Sequence, residues 1–115
     1  MSNIDENLKN IVQWGHDKGI QEHETLSKMM LKFREEVIEF EIEMMMFQTM
    51  KPYNEGYKDT RIRVLNELGD VQACQIKIAE KLKSSIPEVM QMTWDKIKDR
   101  KGEIVNGIFV KEEDL

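Results

Sequence analysis

Hydrophobic residues recur along most of the chain at intervals of three and four, the spacing of one face of an α-helix. The first such segment has apolar residues at Ile4, Leu8, Ile11 and Val12, and Gly19 is its expected stop. The second begins at Glu24 or Thr25 and ends in the Pro- and Gly-containing stretch 51–56. Its apolar row predicts a helix of about 25 residues: Leu26, Met30, Phe33, Val37, Phe40, Met44 and Phe47.

Two further helices and a short tail follow in the pattern. The fourth helix opens with a capping box, Ser85-Ile86-Pro87-Glu88, and is predicted to run to about Lys101, where Gly102 stops it. In the tail, Asn106-Gly107 between β-branched residues predicts a tight turn or a short hairpin. The third helix repeats the rhythm of the second at Val64, Leu68, Val71, Gln75, Ile78 and Leu82, with a second row at Ile62, Leu65, Ala73 and Ile76.

The pattern therefore predicts an all-α, four-helix bundle-like chain with a short C-terminal tail. The two long helices should form a central antiparallel hairpin with a shallow crossing angle. A length of 115 residues is that of one domain, residues 1–115. The long helices have wide apolar faces for so short a chain, which indicates an oligomer.

Composition restricts the classes of protein that this sequence can encode. Hydrophobic residues make up 40% of the chain, too many for intrinsic disorder. A net charge of −5 argues against nucleic acid as a partner, and no apolar run is long enough for a membrane span. Cys74 is the single cysteine, and the N-terminus is polar. We therefore expect no disulfide, no thiolate zinc cluster, no signal peptide and a cytoplasmic location.

Acidic residues border the apolar rows of both long helices. Glu36 and Glu39 are three residues apart in the second segment, so they share one helical face. Glu67 and Asp70 have the same spacing in the third. Carboxylates beside an apolar row are costly unless something compensates their charge, and like charges at this spacing repel. Two such pairs indicate a bound cation.

The positions of these residues predict that the two pairs meet. In an antiparallel helical hairpin, facing positions have residue numbers that add to a constant. Glu39 with Glu67, and Glu36 with Asp70, both add to 106, which places the centre of the hairpin inside the loop at 51–56. Four converging carboxylates make an oxygen-only site that suits Mg²⁺ or Mn²⁺ better than zinc. Such a site typically serves phosphoryl chemistry on a polyphosphate. The alternative is a solvated acidic face.

At these residues the sequence resembles the MazG-like nucleotide pyrophosphohydrolases of the all-α NTP pyrophosphatase superfamily. The family pattern is Glu-Glu-x-x-Glu, an intervening segment, and then Glu-x-x-Asp. Here the two halves are Glu35-Glu36-x-x-Glu39 and Glu67-x-x-Asp70, separated by the 27 residues 40–66. The resemblance extends to Trp14-Gly15 near the N-terminus and to residues 96–111, so it covers nearly the whole chain.

The resemblance implies Mg²⁺-dependent hydrolysis of a (deoxy)nucleoside triphosphate to the monophosphate and pyrophosphate, a reaction of the nucleotide pool. It implies that Glu36, Glu39, Glu67 and Asp70 ligate Mg²⁺, for which Mn²⁺ could substitute. Glu35 would act as a supporting group or as a base that orients the attacking water. Members of this family build their sites within dimers that often pair into tetramers, so a homodimer or homotetramer is expected.

Two lysines near the motifs are candidate substrate-binding residues. Lys77 stands where many members of the family carry Asn, seven residues after Asp70 and on the same helical face. It could hold a phosphate or neutralise the carboxylates. Lys32 lies four residues before Glu36, so it could bind a phosphate or pair with that carboxylate.

Three more substrate-binding candidates lie further from the motifs. Lys96 and Arg100 are four residues apart on the predicted last helix, where they could clamp a triphosphate or complement the helix dipole. Trp14 could stack on a base, although a tryptophan in a small helical protein is more often part of the core.

Other functions stay open at this point. A related enzyme could act on dUTP, dCTP or phosphoribosyl-ATP, which a panel of nucleotides would distinguish. A non-catalytic helical module could bind a basic partner through its acidic face, or sense a nucleotide without turnover. A module of the first kind predicts no effect of Mg²⁺ on the melting temperature.

Overall fold

Two long antiparallel helices form the centre of the fold. The computed structural model describes residues 3–115, and the chain divides there into two compact units, the first ending at Ser84 and the second spanning Ser85–Leu115. The helices of the first unit are α1 (Ile4–Asp17), α2 (Ile20–His23), α3 (Leu26–Phe47) and α4 (Tyr57–Lys81). The second contains α5 (Ile86–Ile97), β1 (Gly102–Val105), β2 (Ile108–Lys111) and a 3₁₀ turn at Glu112–Asp114.

The signals for helix boundaries act as the sequence predicts at three places. The Thr25 hydroxyl accepts a hydrogen bond from the backbone N–H of Lys28 at 3.2 Å, which caps α3. The Ser85 hydroxyl accepts one from the N–H of Glu88 at 3.3 Å, which caps α5. The chain enters α4 from Gly56, whose φ of 83° lies in the left-handed region that favours glycine. The loop predicted between the long helices is confirmed.

The predicted number of four helices is wrong, because one extra turn of helix follows α1. Gly19 has a φ of 72°, and this left-handed residue ends α1 as predicted. The chain then re-enters helical geometry at once, and Ile20 is buried. The short helix Ile20–His23 is the result.

The predicted end of the last helix at Lys101 is also wrong. Helix α5 ends at Ile97, and the N–H of Arg100 donates to the carbonyl of Ile97 in a turn at 3.0 Å. Arg100 therefore lies beyond α5 and does not share a helical face with Lys96. Gly102 already belongs to β1, where a side chain would meet the carbonyl oxygen of Val110 on the paired strand.

The tail forms the predicted hairpin. Strands β1 and β2 pair antiparallel, from Gly102 opposite Lys111 to Val105 opposite Ile108. Asn106 and Gly107 between them have φ values of 52° and 79°, the positive values that a tight two-residue turn requires. The predominantly helical class is thus confirmed, with a small sheet added to the all-α prediction. No helix within residues 3–115 is both long and apolar enough to cross a membrane.

The interface between α3 and α4, called the seam below, keeps six predicted positions and departs from the prediction at the others. The six are Phe33, Phe40, Phe47, Val64, Val71 and Ile78. Leu26 and Met30 of α3 are exposed, and so are Leu68 of α4 and Leu82 just beyond its end, whereas Met29 is 2% exposed. The buried and half-buried side chains still alternate steps of four and three, but this row includes glutamates. Its members are Met29, Phe33, Glu36, Phe40, Glu43 and Phe47 on α3, and Thr60, Val64, Glu67, Val71, Cys74 and Ile78 on α4.

Helices α1 and α2 cover the C-terminal half of α4. Ile20 of α2 is buried, as are Ile76 and Ala79 of α4. The Lys81 ammonium donates to the backbone carbonyl of Gln21 at 2.6 Å, which ties α2 to the end of α4. The most extensive packing of α4 is on α3, and the acidic motif residues Glu67 and Asp70 lie near the middle of α4.

Two neighbouring methionines test the position of the seam. We expect Met29→Ala to lower the free energy of unfolding by about 2–5 kcal/mol, because it leaves a cavity at a fully buried position. Met30 is 43% exposed, so Met30→Ala should cost about 0.5 kcal/mol or less. Urea unfolding of both variants measures the difference. Equal costs would contradict a seam that passes through Met29.

Candidate metal centre

Three carboxylates from the two long helices meet at the seam. Oxygens of Glu36 on α3 and of Glu67 and Asp70 on α4 lie within 4.8 Å of one another. The antiparallel packing brings them together, because Glu36 faces Asp70 in the register predicted from the loop, and Glu67 lies one turn away on the same face of α4. These three residues are called the carboxylate cluster below.

The cluster contains buried carboxylate oxygens that lack a hydrogen-bond partner. Glu36 is only 6% exposed, Glu67 is half-buried and Asp70 is exposed. The Oε2 atoms of Glu36 and Glu67 are buried and accept no hydrogen bond. Buried polar groups are normally satisfied, so these two oxygens call for a partner. Clustered hard oxygens with free lone pairs fit Mg²⁺ or Mn²⁺, and the cluster has no histidine or thiolate ligand that would favour zinc.

Lys32 is paired with the most buried member of the cluster. Its ammonium lies 2.9 Å from Oε1 of Glu36 and 3.7 Å from Oε2 of Glu35. The hydrogen bond that it donates to Glu36, together with the charge of that carboxylate, raises the pKa of Lys32. The pairing that the sequence allowed is therefore present, while a contact of Lys32 with phosphate stays a prediction.

The two other motif glutamates have different surroundings. Glu39 is exposed and lies outside the group of three, yet the negative charge of Glu36, joined by that of Glu67, raises its pKa. Glu39 is therefore close enough for the charges of the cluster to affect its pKa. Its role as a fourth ligand stays a prediction. The Glu35 side chain is 65% exposed against 8% for Glu36. This difference follows from their adjacent positions on the helix, about 100° apart.

One ion pair of the seam was not foreseen. The Arg63 guanidinium donates to Oε2 of Glu43 at 3.3 Å and to the Thr60 hydroxyl at 3.0 Å. The numbers of Arg63 and Glu43 also add to 106, so the register used for the motif acids would have found the pair. Arg63 satisfies Glu43 locally, which leaves the uncompensated negative charge of this seam at the carboxylate cluster.

Cys74 and Lys77 continue the α4 face beyond Asp70. Cys74 is buried and free, and burial raises the pKa of its thiol. Lys77 is half-buried, and its backbone carbonyl accepts a hydrogen bond from the Gln21 side chain at 3.3 Å. Its predicted role toward phosphate stays a prediction.

The remaining substrate-binding candidates lie on other elements. Trp14 on α1 is 53% exposed, so the alternative of a core tryptophan is wrong. Lys96 and Arg100 are exposed residues of the second unit. The roles of all three toward a nucleotide stay predictions.

Comparisons of the chain with protein-family models, with curated proteins and with solved structures found no match. The resemblance to the MazG-like enzymes therefore depends on the motifs and their spacing.

The raised pKa of Glu39 predicts a pH dependence of stability. In the folded protein Glu39 retains its proton at pH values where the unfolded chain, with a pKa near 4.5, has lost it. Its contribution to stability is therefore greatest below that pH and decreases as the pH rises through the folded pKa. We expect Glu39→Gln to gain stability relative to wild type between about pH 4 and pH 7.

Urea unfolding in EDTA at several pH values measures this effect. Glu41→Gln is the matched control for the loss of one carboxylate from α3, because Glu41 is exposed and is not one of the motif acids. A stability difference between Glu39→Gln and wild type that is constant over this range would contradict the electrostatic influence of Glu36 on Glu39.

Proposed function

We propose that this protein is a metal-dependent pyrophosphohydrolase that cleaves (deoxy)nucleoside triphosphates to the monophosphate and pyrophosphate. The observation that carries the proposal is the carboxylate cluster, with two buried oxygens that lack a partner. It supports a divalent-cation site between α3 and α4. The type of reaction is inferred from the order and spacing of the motif acids, which resemble those of the MazG-like enzymes.

In this proposal Glu36, Glu67 and Asp70 hold Mg²⁺ or Mn²⁺, with Glu39 as a fourth ligand. The ion supplies Lewis-acid polarisation of the phosphoanhydride and lowers the pKa of bound water. Glu35 lies next to the ligands and is solvent-exposed, so it can accept a proton from the attacking water.

Cationic side chains of the long helices are placed to balance the charge of the triphosphate. Lys32 is half-exposed beside Glu36, and Lys77 lies on the α4 face that continues beyond Asp70. Neutralisation of the leaving pyrophosphate by such groups favours the transition state. Lys96, Arg100 and Trp14 complete the proposed substrate-binding set, the first two toward phosphate and the last toward the base.

We also propose that the chain forms a homodimer or homotetramer through its long helices. On α3, a row of large apolar side chains is exposed at positions that share one helical face: Leu31, Ile38, Ile42 and Met45. Ile62 and Leu65 add exposed apolar surface on α4. Rows of this kind on both long helices exceed the scattered apolar residues of an ordinary monomer surface, and a second copy of the chain would cover them.

Pyrophosphate release tests the proposed reaction directly. We expect release from one or more members of a panel of NTPs and dNTPs, with a requirement for Mg²⁺ or Mn²⁺. Glu67→Gln keeps the shape of the side chain but removes a ligand charge, so it should reduce the rate by on the order of 100-fold or more. Glu41→Gln should leave the rate unchanged, because Glu41 is exposed and is not one of the motif acids.

The same panel, extended with phosphoribosyl-ATP and combined with thermal unfolding in Mg²⁺, separates the alternatives. Selective turnover of dUTP, dCTP or phosphoribosyl-ATP would identify a related enzyme with a narrower substrate. Binding of a nucleotide without release would indicate a sensor. A folded protein that neither releases pyrophosphate nor melts at a higher temperature with Mg²⁺ would contradict the metal site and favour an acidic module that binds a basic partner.

Sedimentation velocity tests the proposed oligomer. Wild type should sediment as a dimer or a larger species, and Ile42→Asp should shift it toward the monomer, because a charge in an apolar interface is costly. Ser27→Asp is the control, since it adds the same charge at an exposed polar position of α3. A wild-type monomer at micromolar concentration would contradict the proposal.

A further inference from the structure

We propose that Lys32 is the resident counterion of the metal-free site and that it competes with the divalent cation for the charge of Glu36. The inference rests on the proposed function, because it requires that the carboxylate cluster bind a divalent cation. It adds that the affinity for this ion is limited by a positive charge built into the chain. Lys32 acts here through Glu36, by offsetting the charge of that carboxylate.

The two oxygens of the buried Glu36 carboxylate have different surroundings. Lys32 Nζ lies 2.9 Å from Oε1 of Glu36, whereas Oε2 of the same group is buried and has no partner. The Glu36 side chain is 8% exposed, so water has little access to this carboxylate. Among residues 3–115, Lys32 is the cation that forms an ion pair with a member of the carboxylate cluster.

Charge balance explains why this pair would oppose metal binding. Three ionised carboxylates carry three negative charges, and the ammonium of Lys32 offsets one of them. A divalent cation that approaches with Lys32 in place therefore experiences a weaker negative potential than the carboxylates alone would produce. The metal-free protein gains from the same pairing, because a buried carboxylate without a partner is strongly destabilising.

The Lys32 side chain is also able to move away from Glu36. Its side chain is 50% exposed, and its four-carbon stem lets the ammonium move into water with small rearrangement of the helix. Glu36, in contrast, is confined by the seam. When a divalent ion replaces Lys32 as the partner of Glu36, the Lys32 side chain can turn toward solvent while the carboxylate stays in place.

Removal of Lys32 should therefore have two effects of opposite sign. Lys32→Met should lower the melting temperature in EDTA, because Glu36 loses its partner. The same variant should bind Mn²⁺ roughly tenfold more tightly than wild type, even if the interaction between the two cations is as weak as in bulk water. If Lys32 served only to hold Glu36 in the correct orientation, both the stability and the affinity would fall.

Thermal unfolding in EDTA and calorimetric titration with Mn²⁺ measure the two effects. Lys28→Met is the matched control, since Lys28 is exposed one turn earlier on α3, and it should change neither quantity by a comparable amount. Lys32→Arg keeps the charge and should stay near wild type in both. If Lys32→Met does not fold, Lys32→Gln keeps a donor for Glu36 without the charge, and it too must bind Mn²⁺ more tightly than wild type.

The outcomes separate this inference from the function on which it rests. Wild type that binds Mn²⁺, with Lys32→Met or Lys32→Gln of equal or lower affinity, would overturn the competition and leave the proposed metal site intact. Wild type that binds no Mn²⁺ would overturn both. Tighter binding of Mn²⁺ by Lys32→Met or Lys32→Gln, with the affinity of Lys28→Met unchanged, is the result that supports Lys32 as a counterion.

Discussion

The structure depends on how the seam between α3 and α4 accommodates negative charge. Glu36 and Glu67 occupy positions where two packed helices would ordinarily place apolar side chains, and their Oε2 atoms accept no hydrogen bond. Moving a charge out of water costs several kcal/mol unless a partner compensates it. The buried carboxylates of the seam are compensated to different extents. Arg63 pairs with Glu43 near the loop, whereas at the carboxylate cluster Lys32 reaches one oxygen of Glu36.

This uneven compensation links stability to binding. The negative charges that raise the pKa of Glu39 also destabilise the metal-free fold at neutral pH. A cation bound by the folded state and not by the unfolded chain would stabilise the fold by mass action. The apolar residues of the same seam, such as Met29 and Val64, are buried between the two helices and stabilise their packing. At neighbouring positions of one interface, apolar packing thus stabilises the fold and clustered negative charge destabilises it.

The sequence predicts most of the elements and the hairpin register, but only part of the seam. The loop centre and the Asn106-Gly107 turn were predictable because Pro, Gly and Asn have local conformational preferences that tertiary contacts did not override. On α3 the predicted row passes through Leu26 and Met30 because apolar residues alone define it there, whereas the observed seam includes buried Glu36 and, on α4, half-buried Glu67. The end of α5 was missed because Gly102 pairs with a strand, a non-local contact.

The carboxylate cluster and the neighbouring Lys32 govern different properties of the proposed metal site. Glu36 and Glu67 lie in the interface of two long packed helices, which restricts the movement of their oxygens. In the proposed site, this set of oxygen ligands favours a hard cation. Lys32 is long and half-exposed, and it can leave or return without a change in the seam. Under the proposed function, substitutions at Lys32 should therefore change how tightly the ion is held, while the ligand set, and with it the preference for the type of metal, stays the same.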